Sequence, residues 1–426
     1  MIKITDGRAA DWSEVVLRRD AEQHDVSATV RDIINNVKTR GDSAVLEYTE
    51  RFDGVKLSDM RVSEAEIEAA KESVGAEFLD VLESAAANIR AFHKMQKREG
   101  FVIDDAPGIV LGQKITPLGC AGIYVPGGTA PYPSTVLMDA IPAKIAGVSR
   151  IIMTTPPGRD GKINDGILAA AGVSGIDEIY KIGGAQAIAA LAYGTESIPR
   201  VDKIVGPGNI FVATAKKLVY GVVDIDMIAG PSDILIIADS SANPKFVAAD
   251  MLGQSEHDKL SSSVLVTDSE VIANETAKEI GAQLENLPRK DIAAASIENN
   301  GQIILARDVR HAVEIANAIA PEHLEVCTDD PFELLPLIQN AGSIFLGHYT
   351  PEALGDYFAG PNHTLPTEGT SRFFSPLSVD DFIKKSSYIS YSRDALDSVA
   401  QKVETFARRE GLDAHANSIT IRKSKN

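Results

Sequence analysis

The sequence predicts an α/β protein with two Rossmann-like, doubly wound units, a helical N-terminal arm and a small C-terminal module. Short apolar runs alternate with helical patterns from about residue 101 to residue 347, which is typical of parallel sheets covered by helices. Glycine-rich turns follow several of these runs, as they do at the carboxyl ends of parallel strands. A polar tail begins near residue 376 and indicates a separate module.

Composition and charge exclude several classes of protein. The chain has 426 residues, of which 44% are hydrophobic and 24% charged, as in soluble globular proteins with large cores. A net charge of −18 without a basic run argues against non-specific binding to nucleic acid or to an anionic membrane surface. The first residues contain no apolar stretch, so we expect no signal peptide. No apolar run is long enough to predict a membrane span.

The cysteines indicate a reducing compartment. Cys120 and Cys327 are the two cysteines, and each lies in an apolar run far from the other. This placement favours free, buried thiols in the cytoplasm over a disulfide or a catalytic thiolate. A metal site in this chain would therefore use nitrogen and oxygen ligands.

Periodicity locates the individual elements. Helical spacing of apolar residues predicts helices at 12–22, 27–39, 42–51, 76–99, 135–146, 166–171, 183–194, 209–219, 243–257, 270–287, 309–319, 331–340 and 393–410. Strand-like runs occur within 101–124, at 150–155, 178–182 and 203–206, twice within 224–239, and at 262–267, 301–306, 323–328 and 343–347. Ser134 is the expected cap of the helix at 135–146, and Asn243 that of the helix at 243–257.

These elements suggest a division into domains. We expect an N-terminal arm, an α/β domain that carries the metal and base residues, an inserted α/β domain that contacts a dinucleotide, and a C-terminal module. The respective boundaries are 1–20, then 21–123 with 233–375, then 124–232, then 376–426.

Three glycine-rich turns are candidates for binding an anion. YVPGG (124–128) follows a strand, and the turns in IGGAQAIAALAYGT (182–195) and VGPGN (205–209) follow strands and open helices. The exposed N–H groups of a helix N-terminus can hold a pyrophosphate. None of the turns has the spacing G-x-G-x-x-G, and ordinary turns that need positive φ explain them equally well.

Gln254 and His257 are the first candidates for a metal site. They are three residues apart at the end of a predicted helix, a spacing that places both side chains on one helix face. An amide oxygen and an imidazole nitrogen at that distance can share one metal ion. By itself the pair is more often solvated helix surface, so the hypothesis depends on further ligands.

Glu322 and His323 are candidates for acid–base chemistry. They are adjacent in APEHLEV (320–326), at the start of a predicted strand. An imidazole titrates near neutral pH, which suits removal of a proton from an alcohol. Two exposed polar residues after a proline are the more common explanation of such a pair.

Two further segments complete a set of metal ligands. Asp356 lies in the turn-rich stretch GDYFAGPNHTLPT (355–367), and His415 follows Glu410 in EGLDAHANSI (410–419), which we also interpret as a turn. Together with the pair near residue 255 they supply two imidazoles, a carboxylate and an amide oxygen. This donor set suits a borderline divalent cation such as zinc.

The combination of motifs resembles the histidinol dehydrogenases over nearly the full length of the chain. The matching segments occur in order and are YVPGGTAPYPSTVLM, GGAQAIAALAYGT, KIVGPGNIFV, AGPSDILIIAD, the segment with Gln254 and His257, APEHLEV, GDYFAGPNHTLPT and EGLDAHANSI. The resemblance implies oxidation of L-histidinol to L-histidine by two NAD through a bound aldehyde, with one zinc ion per active site.

The resemblance also implies roles for individual residues. The zinc ligands would be Gln254, His257, Asp356 and His415, and the acid–base pair would be Glu322 and His323. The NAD contacts would be Tyr124, Gln186 and Asn209. The substrate contacts would be Ser232 and Glu410, together with His323 and the four zinc ligands.

The family forms homodimers whose C-terminal module reaches the partner's site, which implies that Glu410 and His415 act in trans. Two alternatives remain open at this point. One is a dehydrogenase of the same fold that acts on another polar alcohol, such as a sulfonated diol. A non-catalytic scaffold with a metal-stabilised fold is the other alternative, and the intact pair of Glu322 and His323 argues against it.

Overall fold

The structure is a computed structural model that describes residues 2–9, 25–127, 131–176 and 178–423. The chain divides into two compact units, one formed by residues 1–96 and 119–382 and the other by residues 97–118 and 383–426. The domain boundaries inferred from the sequence stay predictions. Among the described helices, none combines the length and apolar character needed to cross a membrane.

The strands are named in chain order. They are β1 (Lys3–Asp6), β2 (Phe101–Ile103), β3 (Ile109–Pro117), β4 (Cys120–Tyr124), β5 (Arg150–Thr154), β6 (Glu178–Tyr180), β7 (Lys203–Val205), β8 (Asp224–Ile225), β9 (Asp233–Ala238), β10 (Ser262–Thr267), β11 (Gly301–Leu305), β12 (His323–Cys327), β13 (Ser343–Leu346) and β14 (Ile383–Tyr391).

The helices are named in the same way. They are α1 (Ser27–Arg40), α2 (Asp42–Asp53), α3 (Glu64–Ser73), α4 (Gly75–Lys94), α5 (Pro133–Ala146), α6 (Asp165–Ser174), α7 (Gly184–Tyr193), α8 (Ile210–Val219), α9 (Pro244–Ser255), α10 (Glu270–Leu284), α11 (Lys290–Asn300), α12 (Val309–Ile319), α13 (Pro331–Leu334), α14 (Glu352–Tyr357), α15 (Arg393–Arg409) and α16 (Asp413–Thr420).

The α/β class is confirmed, and most predicted elements appear within a few residues of their expected bounds. Asn243 caps α9 as expected, since its Oδ1 accepts from the amide of Lys245 at 3.0 Å. The helix predicted at 12–22 and most of the N-terminal arm lie outside the described residues. Within that arm, residues 3–6 form β1, which pairs with β11.

Several local predictions are wrong. Ser134 does not cap α5, because Pro133 already occupies the first turn and Tyr132 precedes the helix. The helix predicted at 331–340 stops at Leu334 and continues only as a short 3₁₀ turn. The helix predicted at 76–99 ends at Lys94. The elements α3, α11, α14, α16 and β14 were not predicted.

A five-stranded parallel sheet in the first unit has the order β6-β5-β4-β7-β8. The chain first moves from β4 outward to β6, and then returns to β7 and β8. Because parallel crossovers are right-handed, this reversal puts α5 and α6 on one face and α7 and α8 on the other. Helices α1 and α2 pack on α7, and α3 and α4 pack on α6 and α5.

A six-stranded parallel sheet in the same unit has the order β1-β11-β10-β9-β12-β13. Every residue of β9 is buried, because helices cover both faces of the strand. Ile234 and Ile236 belong to the core beneath α9, α10 and α11, whereas Leu235 and Ile237 belong to the core beneath α12. This alternation is the period of two expected for an extended strand.

The second unit combines an antiparallel sheet with two helices. Its strand order is β14-β3-β2, and β14 pairs with β3 from Ile383 opposite Pro117 to Tyr391 opposite Ile109. Helix α15 packs on α16, and Glu404 fixes that pair because it accepts from Thr420 Oγ1 at 2.9 Å and from Lys423 Nζ at 3.0 Å.

A buried ion pair holds the turn that follows β7. Asp226 Oδ2 accepts from the amide of Gly206 at 2.8 Å, and Lys216 Nζ donates to the carbonyl of Gly206 at 2.9 Å. Lys216 and Asp226 also form a salt bridge with each other. Gly206 has a φ of 109°, and a Cβ there would clash with the carbonyl oxygen of Tyr124.

Lys216→Met is expected to destabilise the protein by about 3–5 kcal/mol, because it leaves the carboxylate of Asp226 buried without a counter-charge. Urea or thermal denaturation measures the change. Lys217→Met on the exposed face of the same helix is the matched control and should change stability little. Equal stability of both variants would show that the pair does not hold the turn.

Candidate active site

Two neighbouring parallel strands place an acid and an imidazole at their amino ends. β12 begins at His323 and pairs with β9, which begins at Asp233. The amide of Asp233 donates to Oε2 of Glu322 at 2.9 Å, and the amide of Glu322 donates to Oδ1 of Asp233 at 3.0 Å. These two hydrogen bonds fix the Glu322 carboxyl in a buried position. It directly precedes β12, a strand that the sequence predicted.

The ring of His323 has a defined orientation. Its Nδ1 donates to the carbonyl oxygen of Asp233 at 3.2 Å, which leaves Nε2 as the free ring nitrogen. Nε2 is buried, has no hydrogen-bond partner among the described residues, and lies 3.7 Å from Oδ1 of Asp356. His323 thus presents an unpaired nitrogen beside a carboxylate.

Several carboxyl groups surround this imidazole. Burial raises the pKa of Glu322 to about 7. Burial alone would lower the pKa of His323, but the carboxyl groups of Glu352, Glu322 and Asp356 outweigh it and hold that pKa well above its usual value. The surplus of negative charge favours a positive charge here. A divalent cation bound by these carboxyl groups would take the place of the ring proton and leave Nε2 free to act as a base.

Three side chains beside His323 can share a metal ion. Ligand atoms of His257, Glu352 and Asp356 all lie within 4.8 Å of one another. Glu352 and Asp356 are four residues apart in α14, so both project from one face of that helix. Asp356 is therefore in a helix rather than in the turn that the sequence suggested.

Gln254 is oriented by Glu352. Gln254 is fully buried in α9. With its amide nitrogen turned toward Glu352, that nitrogen donates to Oε1 at 2.7 Å and to Oε2 at 2.9 Å, whereas the opposite orientation sets oxygen against oxygen. The amide oxygen then points away from Glu352. His257 lies beyond the end of α9, so the pair does not share a helix face as the sequence predicted.

The protonation states of these groups suit metal binding. Burial lowers the pKa of His257, which keeps the imidazole neutral. Burial opposes ionisation of Asp356, but His323, His363 and His257 outweigh it and hold the pKa of Asp356 below its usual value. A neutral imidazole, an ionised carboxylate and an amide oxygen fit a divalent ion such as zinc.

His363 connects this cluster to the other sheet of the unit. Its Nδ1 donates to the carbonyl oxygen of Asp356 at 3.0 Å, so its Nε2 accepts from the hydroxyl of Thr135 at 3.2 Å. Thr135 lies in the first turn of α5. The start of α5 is therefore next to the candidate metal ligands.

A cavity of about 320 Å³ opens beside His257. Leu82 and Ala85 of α4 and Leu137 of α5 give it apolar walls, and Glu256 and Arg289 give it charged ones. Pockets of this size hold small molecules.

The three residues expected to contact a dinucleotide lie at glycine-rich turns of the five-stranded sheet. Tyr124 ends β4, and its hydroxyl accepts from the amide of Gly184 at 3.1 Å. Gln186 is buried in the first turn of α7. Asn209 caps α8, since its Oδ1 accepts from the amides of Phe211 and Val212 at 3.0 and 3.2 Å. All three are thus at carboxyl ends of parallel strands, where α/β sheets bind ligands.

Three further residues were predicted from the sequence to belong to the site, namely Ser232, Glu410 and His415. Ser232 directly precedes β9 and is half-buried. Glu410 and His415 are exposed residues of the second unit. Glu410 is the C-terminal cap of α15, and His415 is within α16 rather than in the turn that the sequence suggested. Gly411 and the polar residues that follow it made this segment resemble a turn, so the sequence did not predict the short helix.

Sequence reasoning missed Glu352 and Asp233. A signal for Glu352 was present, because Pro351 precedes it as at many helix starts and Asp356 follows four residues later. Asp233 resembled an ordinary turn residue in the stretch Gly-Pro-Ser-Asp. Its contact with Glu322 joins residues 89 positions apart, which a single sequence does not reveal.

The fold and the site define the class of this protein. It is an α/β protein with an acid–base pair beside candidate metal ligands. Comparisons with known proteins make this class specific. The sequence pattern of the family described as Histidinol dehydrogenase matches residues 16–423. The chain belongs to the histidinol dehydrogenase family.

Individual relatives agree over nearly the whole chain. The chain is 57% identical over 405 residues to a histidinol dehydrogenase of Clostridium acetobutylicum, covering 95% of this chain and 94% of the relative. A histidinol dehydrogenase of Geobacillus kaustophilus is 55% identical over 413 residues, covering 96% and 97%. The crystal structure of histidinol dehydrogenase from Elizabethkingia anophelis superposes with a TM-score of 0.94 at 39% identity, covering 99% of this chain and 98% of that chain.

Proposed function

We propose that this chain oxidises L-histidinol to L-histidine through bound L-histidinal, with NAD as oxidant and one zinc ion per active site, as the last step of histidine biosynthesis. It would thus be an NAD-dependent alcohol and aldehyde dehydrogenase. The observation that carries the proposal is the buried pair of Glu322 and His323 beside His257, Gln254 and Asp356, in a chain of this family.

The metal would be held by His257, Asp356 and the amide oxygen of Gln254, with His415 as the fourth ligand. Zinc supplies a fixed positive charge that binds the imidazole and amino nitrogens of the substrate and so orients its alcohol carbon. Glu352 supports this arrangement, because its contacts with the Gln254 nitrogen leave the Gln254 oxygen free to bind the ion.

The two oxidations balance with residues of this chain as proton carriers. In the first, NAD takes a hydride from the alcohol carbon and Nε2 of His323 takes the hydroxyl proton, which gives the aldehyde. Glu322 then removes a proton from water as the water oxygen adds to the aldehyde carbon, and His323 returns its proton to the aldehyde oxygen, which gives the hydrate. In the second oxidation, His323 takes a hydroxyl proton of the hydrate while a second NAD takes the hydride, which gives the carboxylic acid.

The proposed binding partners are NAD, L-histidinol and a second copy of this chain. Tyr124, Gln186 and Asn209 would contact NAD, and Ser232 and Glu410 would contact the substrate. The chain would act as a cytoplasmic homodimer in which Glu410 and His415 complete the partner's site. The free thiols of Cys120 and Cys327 support a reducing compartment.

A direct assay tests the proposal. Purified protein is mixed with NAD and either L-histidinol or a sulfonated diol, and NADH, histidine and bound metal are measured. Two NADH per histidinol, with histidine as the product and no reaction with the diol, are expected. NADH from the diol alone would favour the alternative substrate, and no NADH from histidinol would refute the proposal.

Removing the metal is expected to abolish activity, because the ion would bind the imidazole and amino nitrogens of the substrate and so position its alcohol carbon. A chelator should inactivate the protein, and zinc should restore it. His257→Ala should lower the bound metal measured by atomic absorption, since it deletes one ligand.

His348→Ala provides the matched control for this loss. His348 is partly exposed and contacts Asp329 and Ser241, outside the candidate site, so metal content and activity should stay at the wild-type level. Full activity of metal-free wild-type protein would contradict the metal assignment.

A further inference from the structure

Asp53 has a carboxyl group in an unfavourable position. It is the last residue of α2, where the helix dipole is negative, and Gly54 follows with a φ of 72°. Its Oδ2 is buried, and no hydrogen bond reaches it from the described residues. Burial raises the pKa of Asp53 to about 6, and no cation lowers it. The buried oxygen of this carboxylate therefore lacks a donor among the described residues.

The direction of α2 brings Asp53 to the start of α7. At the other end of α2, the amide of Asp42 donates to Oε2 of Glu196 at 2.8 Å, and Ser197 donates to the carboxylate of Asp42. Both partners follow the end of α7, and α2 packs on α7, so an antiparallel arrangement of the two helices directs Asp53 toward Gly184, the first residue of α7.

The surroundings of Asp53 are the turns already assigned to a dinucleotide. Tyr124 lies in one buried core with Tyr48 of α2 and Ala185 of α7, and burial raises its pKa to about 12 with a further contribution from the charge of Asp53. The hydroxyl of Tyr124 accepts from the amide of Gly184 at 3.1 Å. Oε1 of Gln186, one turn into α7, is also buried without a partner among the described residues. Unpaired acceptors thus collect where a ligand with hydroxyl donors would satisfy them.

We propose that Asp53 accepts hydrogen bonds from the ribose hydroxyls of the adenosine half of NAD, and that it disfavours NADP. The inference rests on the proposed use of NAD and adds a specificity residue to it. A carboxylate is a pure acceptor that matches a vicinal diol and repels a 2′-phosphate. The sequence did not point to Asp53, because the acidic residue that binds a ribose usually follows the glycine-rich turn, whereas Asp53 precedes these turns.

The position of Asp53 indicates which of the two riboses of NAD it would contact. Helices α2 and α7 cover one face of the five-stranded sheet, and α5 covers the other. Thr135, at the start of α5, contacts His363 of the candidate metal site. The nicotinamide must reach the reacting carbon at that site, so the ribose on the α2 side is that of adenosine.

Binding measurements with the full chain test this directly. Calorimetry and competition against NAD compare ADP with 2′,3′-dideoxy-ADP for wild type, Asp53→Asn and Glu50→Gln. The assays run at pH 8, where Asp53 is ionised. Wild type should bind ADP at least about tenfold more tightly than the dideoxy form, as expected for hydrogen bonds to a charged group. Asp53→Asn should lose most of this difference and use NADP relatively better.

Glu50→Gln removes an exposed charge from the same helix and should keep the wild-type preference. The melting temperature of Asp53→Asn should not fall, because the substitution removes a half-buried charge. If Asp53 had a purely structural role instead, the substitution would lower the melting temperature. If wild type oxidises histidinol with NAD but Asp53→Asn keeps the preference for ADP, the inference is wrong and the proposed function stands. If wild type binds neither NAD nor ADP, both are wrong.

Discussion

His323→Asn is expected to lower kcat with L-histidinol and with L-histidinal by about a hundredfold to ten-thousandfold, the usual contribution of a general base. Both oxidations need a proton removed from a hydroxyl group, and Nε2 of His323 is the free, buried nitrogen at the site. Asparagine can still donate from its amide to the carbonyl of Asp233, so the strand ends should stay in place. Stopped-flow NADH formation with each substrate measures the loss.

Glu322→Gln should separate the two oxidations. Its side-chain oxygen can still accept from the amide of Asp233, so the fold is retained while the base is lost. Oxidation of histidinol to the aldehyde should be little affected, and oxidation of histidinal should slow strongly, because no carboxylate activates the water. Unchanged metal content confirms an intact site. Equal loss of both half-reactions would contradict separate roles for Glu322 and His323.

The sequence predicted those parts of the fold that depend on local pattern. The run Asp233–Ala238 is buried on both faces, and such continuous apolar runs identified most strands of the parallel sheets. β14 was missed because eight of its nine residues are exposed and its pairing with β3 joins distant segments. α11 was missed because its polar sequence KDIAAASIENN shows little helical periodicity.

The candidate site could be predicted from the sequence only in part, because its assembly depends on contacts between distant residues. Glu322 and His323 are adjacent, and Gln254 and His257 are close in the chain, so a pattern identified each pair. Their convergence depends on β9 and β12 being neighbours and on α14 placing Glu352 against Gln254. Contacts over such separations arise from tertiary packing, which local spacing does not encode.

A mixed dimer is expected to regain activity that neither parent has. His257→Asn and His415→Asn each delete a proposed zinc ligand, so each homodimer should be inactive. In the proposed assembly, His415 of one subunit completes the site that contains His257 of the other. One site of the mixed dimer then carries both lesions and the other carries none.

This arrangement predicts a specific level of recovery. The intact site should give the mixed dimer about half of the wild-type activity and about half of its bound metal. Two differently tagged chains, refolded together and purified through both tags, provide the sample. His257→Asn refolded with a second, differently tagged His257→Asn chain is the control and should stay inactive. If His415 acts within its own subunit, every site keeps one lesion, and a mixed dimer shown to have formed would be as inactive as its parents.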